Sequence, residues 1–276
     1  MKRFFGAILL LGAIVTQGQK LEFEVASVKP APQAGSARMS FRGGPGTGDP
    51  TRLAIDNYSF FSLIMRAYDL SPFQISGVER NGEPFNITAK IPEGATKEQF
   101  RVMLQNLLAD RFQLKVHRET KELPIYEMTV GKSGAKIKEH EGGLSKEELD
   151  LPTGPWLPRD KNGHPAPLPN TWLTLLPQSG GAQGRFNGVN EPMETFAKDL
   201  SRQFGRLVVD LTGLKGRYDF DLIYTADAPA GPPDPEMDFG PPLIGAVQAL
   251  GFKLESKKGP VELLVVDHFE KVPTEN

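Results

Sequence analysis

The sequence predicts an α+β protein, and three observations predict it. Period-two alternation recurs in short segments such as Phe85-Asn86-Ile87-Thr88-Ala89 and Tyr218-Asp219-Phe220-Asp221-Leu222, the mark of half-buried strands. Phe100, Met103, Leu104, Leu107 and Leu108 recur at the three-to-four spacing of a helix with one buried stripe. The segments run helix, strand, strand, helix, strand pair, and not as a steady β-α-β alternation.

The 276 residues include no cysteine and carry a formal net charge of −2. Disulfides, cysteine-ligated zinc and thiol catalysis are therefore excluded. With charge so nearly balanced, no overall field draws nucleic acid or an anionic membrane.

The N-terminus opens with Lys2-Arg3, an apolar run from Phe4 to Val15 and small residues at Thr16 and Gly18. This is the layout of a secretory signal over residues 1–18, cut after Gly18. The run is shorter than the roughly 20 apolar residues of a membrane span. No second such run follows. The mature chain is thus expected to be secreted or periplasmic, with no membrane span.

Residues 19–130 are read as a first α+β lobe. A strand covers Leu21 to Val28, Lys29-Pro30-Ala31-Pro32 ends it, and residues 33–50 are a Gly/Ser/Arg/Pro-rich loop. A short strand at Arg52–Ile55 precedes a helix over Phe60–Tyr68, capped by Asn57 or Ser59. Strands follow at Phe73–Val78 and Phe85–Ile91. Thr96 caps a helix over Lys97–Arg111. A hairpin closes the lobe, with strands Phe112–Glu119 and Pro124–Val130 around the polar turn Glu119-Thr120-Lys121-Glu122.

Residues 131–185 are a Pro/Gly-rich linker or insertion, and residues 186–276 a second lobe. That lobe has a helix over Met193–Phe204, a strand Leu207–Asp210, a turn Leu211–Gly216 and a strand Tyr218–Tyr224. After a Pro-rich loop from Ala228 to Pro242 comes a helix over Leu243–Leu250, with Gly251 at its C-cap. A final hairpin, Phe252–Lys257 with Val261–Phe269, turns at Lys258-Gly259.

The two lobes repeat one order, helix-strand-strand-helix-hairpin, at an offset of about 135 residues. Phe85–Ala89 aligns with Tyr218–Leu222, Arg111–Lys115 with Gly251–Glu255, and Pro124–Met128 with Pro260–Leu264. In element order each lobe resembles the short N-terminal domain of secretins and TonB-dependent receptors. That resemblance implies duplicated small α/β sandwiches that dock other proteins.

Four blocks carry a second resemblance: Phe23–Pro30, Met103–Phe112, Val209–Phe220 and Val265–Lys271. Together they look like a soil-associated family of exported bacterial proteins of unknown function, expanded in acidobacteria-type genomes. In some relatives a similar domain is fused to an antibiotic-sensor-type membrane peptidase. The resemblance implies sensing or interaction outside the membrane and carries over no catalytic residue.

The candidate chemistry is sparse. His117, His140, His164 and His268 do not form a His-Glu-x-x-His pattern, so no metal site is expected. Asp267 and His268 are adjacent on a strand and point to opposite faces. No Gly-x-Ser-x-Gly elbow is present, and no catalytic residue is assigned. Gly43-Gly44-Pro45-Gly46-Thr47-Gly48 lacks the Lys-Ser/Thr pair of a phosphate loop, and no cofactor is expected. Asp219 and Asp221 read as the wet face of a strand. Asp234, Glu236 and Asp238 lack EF-hand geometry.

Lys215 and Arg217, in and just after the turn, are candidates for contact with an anion or a peptide terminus. Trp156 and Trp172 either bind glycans or partner proteins or pin the insertion to the core. The expected role is a non-catalytic binding module whose partner is an envelope protein or peptide, engaged at a sheet edge. The rival is an extracytoplasmic hydrolase of cell-wall or polysaccharide material.

Overall fold

The computed structural model describes residues 20–32, 39–142, 172–175, 182–226 and 242–274. The signal segment, Trp156, His164, Asp234, Glu236 and Asp238 lie outside these residues, as does much of 131–185. The first elements are β1 (Val25–Pro30), β2 (Ser40–Gly43), β3 (Arg52–Ser59), α1 (Phe60–Tyr68), β4 (Ile75–Ser76), β5 (Pro84–Lys90), α2 (Lys97–Phe112) and β6 (Lys115–Val130). There follow β7 (Lys138–Glu139), β8 (Trp172–Leu175), β9 (Ala182–Pro192), α3 (Met193–Phe204), β10 (Val208–Asp210), β11 (Arg217–Ala226), α4 (Leu243–Ala249) and β12 (Phe252–His268). The fold is α+β, with mostly antiparallel pairing.

The chain forms two units. The first contains Gly77–Val116 with the described parts of Met1–Leu70 and Val266–Asn276, and the second Ser71–Ser76 with those of His117–Val265.

In the first unit, β1-β5-β3-β2 make one antiparallel sheet. Alternation divides its faces. Leu53, Ile55, Phe85 and Ile87 are at most 3% exposed, while Thr88 on the same strand as Ile87 lies in solvent. Helices α1 and α2 pack on each other, with Phe100, Met103, Leu104, Leu107 and Leu108 all buried. Sequence capping signals operate here. Ser59 Oγ accepts the Ser62 amide at 3.2 Å. Thr96 and Gln99 close a reciprocal capping box, at 3.2 and 2.9 Å.

The second unit contains two sheets, ordered β10-β6-β12-β4 and β7-β11-β9-β8. β10 lies parallel to β6, and β4 parallel to β12. Helix α3 packs on β9 and β10, and α4 on β11. Met128, Phe186, Met193, Phe196, Leu200, Val247 and Phe252 form the centre of this core, each 2% exposed or less. No helix among the described residues is long and apolar enough to cross a membrane.

Several sequence expectations need correction. Both predicted hairpins are single long strands, β6 and β12, neighbours in one sheet. Glu119–Glu122 continues β6, with Glu119 and Lys121 paired along the strand at 2.6 Å, and cross-strand ion pairs lie to either side in sequence, Arg118 with Glu262 and Lys257 with Glu127. Gly259 makes room instead of a turn, since a Cβ there would meet Ile125 Cδ1 at 2.6 Å. The strand expected at Phe73–Val78 is a 3-10 turn, Pro72–Gln74, followed by the two-residue β4. The first strand starts at Val25, and β2 lies inside the expected loop. Residues 131–185 contain β7, β8 and the start of β9.

The capping box gives a direct test. Thr96→Ala should lower unfolding stability by about 1 kcal/mol in urea titration. Val102→Ala, at an exposed position of the same helix, should stay within about 0.5 kcal/mol.

Candidate functional site

Three concavities of the first unit differ in chemistry. A groove of about 390 Å³ runs between Glu22–Ala26 and α2, where Asp110 is already paired with Lys20 at 2.7 Å. An open hollow of about 740 Å³ covers the outer face of the sheet. There Arg42 is paired with Asp56, and Lys90 with Glu24. Asp110, Arg42, Lys90 and Glu24 are thus paired within the protein, while Asp49 and Arg52 of the second hollow make no ion pair among the described residues.

The third differs. It has a volume of about 350 Å³, within the range of small-ligand sites. Phe60, Phe85 and Phe269 supply its apolar surface. The Phe60 and Phe269 rings stack at 4.5 Å with 19° between their planes. Phe112 lies beneath, 4.7 Å from Phe60 and 4.9 Å from Phe85.

Local sequence fixes each wall. Phe60 is the first residue of α1, directly after its Ser59 cap. Phe85 points inward from β5 beside buried Ile87. Phe269 is held by the next residue, whose Glu270 amide donates to the Phe112 carbonyl at 2.7 Å. The rim is the loop Gly77-Val78-Glu79-Arg80-Asn81-Gly82-Glu83, with Lys271 beside it. Gly77 has φ +82°, and a Cβ there would come within 2.3 Å of the Val266 carbonyl oxygen, so only glycine fits. Glu79, Glu83 and Lys271 make no ion pair among the described residues. Arg80 turns instead to Phe61, its guanidinium 5.7 Å from the ring centre.

A second cluster lies in the second unit, where β11 runs between β7 and β9. His140 Nδ1 sits 2.8 and 3.0 Å from the two carboxylate oxygens of Asp219. Because a carboxylate only accepts, Nδ1 carries the proton in this pair. The Asn190 amide also donates to Asp219, at 2.9 Å. Burial works against the Asp219 charge, but the Asn190 and His140 bonds outweigh it and hold the carboxyl below its usual range. His140 Nε2 is buried and without a hydrogen-bond partner among the described residues.

Glu191, 2% exposed, lies across from Tyr218. Its Oε1 has no partner among the described residues. Burial, aided by the Asp199 carboxylate, pushes the Glu191 carboxyl up to about 7 against the pull of Arg217. Cross-strand partners share a face and adjacent residues do not. Glu191 therefore lies on the core side with Tyr218, and Asp219 on the other side with His140.

The sequence candidates fall around this cluster unevenly. Arg217 opens β11 and donates through Nε to Asn190 Oδ1. Lys215 is exposed in the preceding connection, where Asp210 accepts from the Thr212 amide and hydroxyl at 2.9 and 2.7 Å. Trp172 begins β8 opposite Phe186. Among the described residues no group of three or more His, Asp or Glu side chains is placed to hold a metal.

Sequence reasoning missed both the aromatic pocket and Glu191. The pocket assembles residues from α1, β5 and the segment after β12, so no spacing reveals it. Glu191 had a weak signal, a carboxylate directly before the Pro192-Met193 start of a helix.

Residues 61–269 match the model of a family described as Protein of unknown function (DUF3738). No curated protein and no solved structure matches the chain.

Glu191 makes stability depend on pH. Its folded value lies above its ordinary one of 4.5, so its contribution is full below pH 4.5 and is lost as pH rises through about 7. Discounted for partial solvation, the swing is roughly 2 kcal/mol. Urea titrations at pH 5 and pH 8 should show it in the native protein. Glu191→Gln should flatten that difference and be the more stable of the two at pH 8.

Proposed function

The chain belongs to the DUF3738 family, whose description assigns no activity, and we propose that it is a non-catalytic binding module acting in the periplasm or outside the cell. The observation that carries this reading is the pocket of Phe60, Phe85 and Phe269, with its unpaired polar rim. An apolar floor with a few unsatisfied polar groups at its mouth is the chemistry of a ligand site.

The groups with catalytic potential diverge. His140–Asp219 and Glu191 face opposite sides of β11, so they serve no common reacting atom. The rival hydrolase draws support from one fact, the Nε2 of His140 with Asp219 orienting its ring. That fact lacks a nucleophile within reach among the described contacts.

We infer further that the two halves are copies of one unit. The order β3-α1-β4-β5-α2-β6 recurs as β9-α3-β10-β11-α4-β12. The pairing recurs with it: β3 pairs with β5 as β9 does with β11. β10 of the second copy lies parallel to β6 of the first, and β4 of the first parallel to β12 of the second. Likeness of each copy to the docking domains of secretins and TonB-dependent receptors accords with a binding role. The candidates Lys215, Arg217, Trp156 and Trp172 remain proposals for partner contact, an envelope protein or peptide being the partner.

Two measurements test the proposal. Crystals soaked with a small-molecule fragment library should show occupancy centred on Phe60 and Phe269. Fragments binding elsewhere, with that pocket empty, would sink the binding reading. Release of soluble products from purified cell-wall or polysaccharide substrates, abolished by His140→Ala, would establish the rival. N-terminal sequencing of protein recovered outside the cytoplasm should begin at Gln19. Retention of the chain in the cytoplasm with Met1 intact would end the export claim.

A further inference from the structure

We propose that the aromatic pocket receives the cationic side chain of an arginine or lysine in a bound polypeptide. The inference rests on the binding reading above and names its ligand class.

Four features support it. Half-buried Phe269, backed by the stacked and buried Phe60, presents aromatic surface, and aromatic rings attract cations. The volume of about 350 Å³ suits one extended side chain and not a folded segment. The residues lining the pocket include two carboxylates, Glu79 and Glu83, and one ammonium, Lys271, an excess of one negative charge, while Arg80 of the same loop is turned to Phe61. Those carboxylates make no ion pair among the described residues, so a ligand cation need not displace an existing partner.

The neighbouring charges are otherwise engaged. Arg80 lies over Phe61, and Glu270 pairs with His268 at 3.1 Å. An arginine or lysine stem would lie along the phenylalanines with its charged end at the carboxylates, matching apolar to apolar and charge to charge. In the other two hollows of this unit the protein sets its own cations against most of the local acids, Lys20 against Asp110, Arg42 against Asp56 and Lys90 against Glu24. Here it does not.

Lys271 makes the claim sharp, because a cationic ligand and an anionic one respond to it in opposite ways. The test is a titration of the isotope-labelled full chain with the peptide Ac-Gly-Arg-Gly-NH2, followed by backbone amide signals. Its neutral isostere, with citrulline for arginine, is the control. The arginine peptide should shift Gly77, Val78, Gly82 and Phe269 and bind at least tenfold more tightly than the control. The double variant Glu79→Gln/Glu83→Gln should weaken binding at least tenfold, and Lys271→Gln should tighten it about threefold. All three substitutions are at the exposed rim, and an unchanged thermal midpoint will show that each variant folds.

Equal binding of both peptides, or weaker binding in Lys271→Gln, would overturn the cation assignment. Fragments in the pocket without any response to the arginine peptide would do the same while leaving the binding reading intact. An empty pocket in both experiments would remove both.

Discussion

Phe112 is the constraint on which the first unit depends. It ends α2, is fully buried, and touches Phe60 from α1 and Phe85 from β5. Its carbonyl also accepts the amide that fixes the segment after β12. One residue thus sets the spacing of a helix start, a strand and the end of the chain. The pocket floor is a by-product of that packing: the rings that close the core from inside are the rings a ligand would meet from outside. Sites built on such rigid support keep their geometry without ordering cost on binding.

Much of the fold was legible in the sequence because the signals were local. Period-two alternation placed β5 and β11, and Thr96 as an N-cap placed the start of α2. The buried stripe on that helix followed from spacing alone. What failed was the reading of polar interruptions as turns. Glu119–Glu122 and Lys258-Gly259 resemble loop sequence, yet each continues a strand: Glu119 pairs with Lys121 along β6, and Gly259 leaves the space that Ile125 of the neighbouring strand fills. A lone chain segment does not reveal its cross-strand partner.

The candidate sites show the same limit more strongly. Arg217 donates through Nε to Asn190, a contact between residues 27 apart that no local spacing announces. His140 was set aside for want of a metal-ligand pattern, yet it is ordered by Asp219 through a contact that spans 79 residues. Buried Glu191 carries the largest change in acidity of the described groups, and burial is a property of the assembled core that no single residue type announces. Charge and spacing suffice for elements; sites need the fold.

The parallel pairing of β4 with β12 sets a schedule for folding. Ile75 meets Leu264, and Ser76 meets Val265. Both members of that edge are far apart in the chain, so the cost of closing the loop precedes any gain from the contact. A chain that emerges N-terminus first has its α1–α2 region complete while the partner of β4 is still to come. Until then the edge of β4 has only solvent or a chaperone for company. Completion of the β10-β6-β12-β4 sheet is therefore a late event, timed by the arrival of the last strand and not by the speed of local structure.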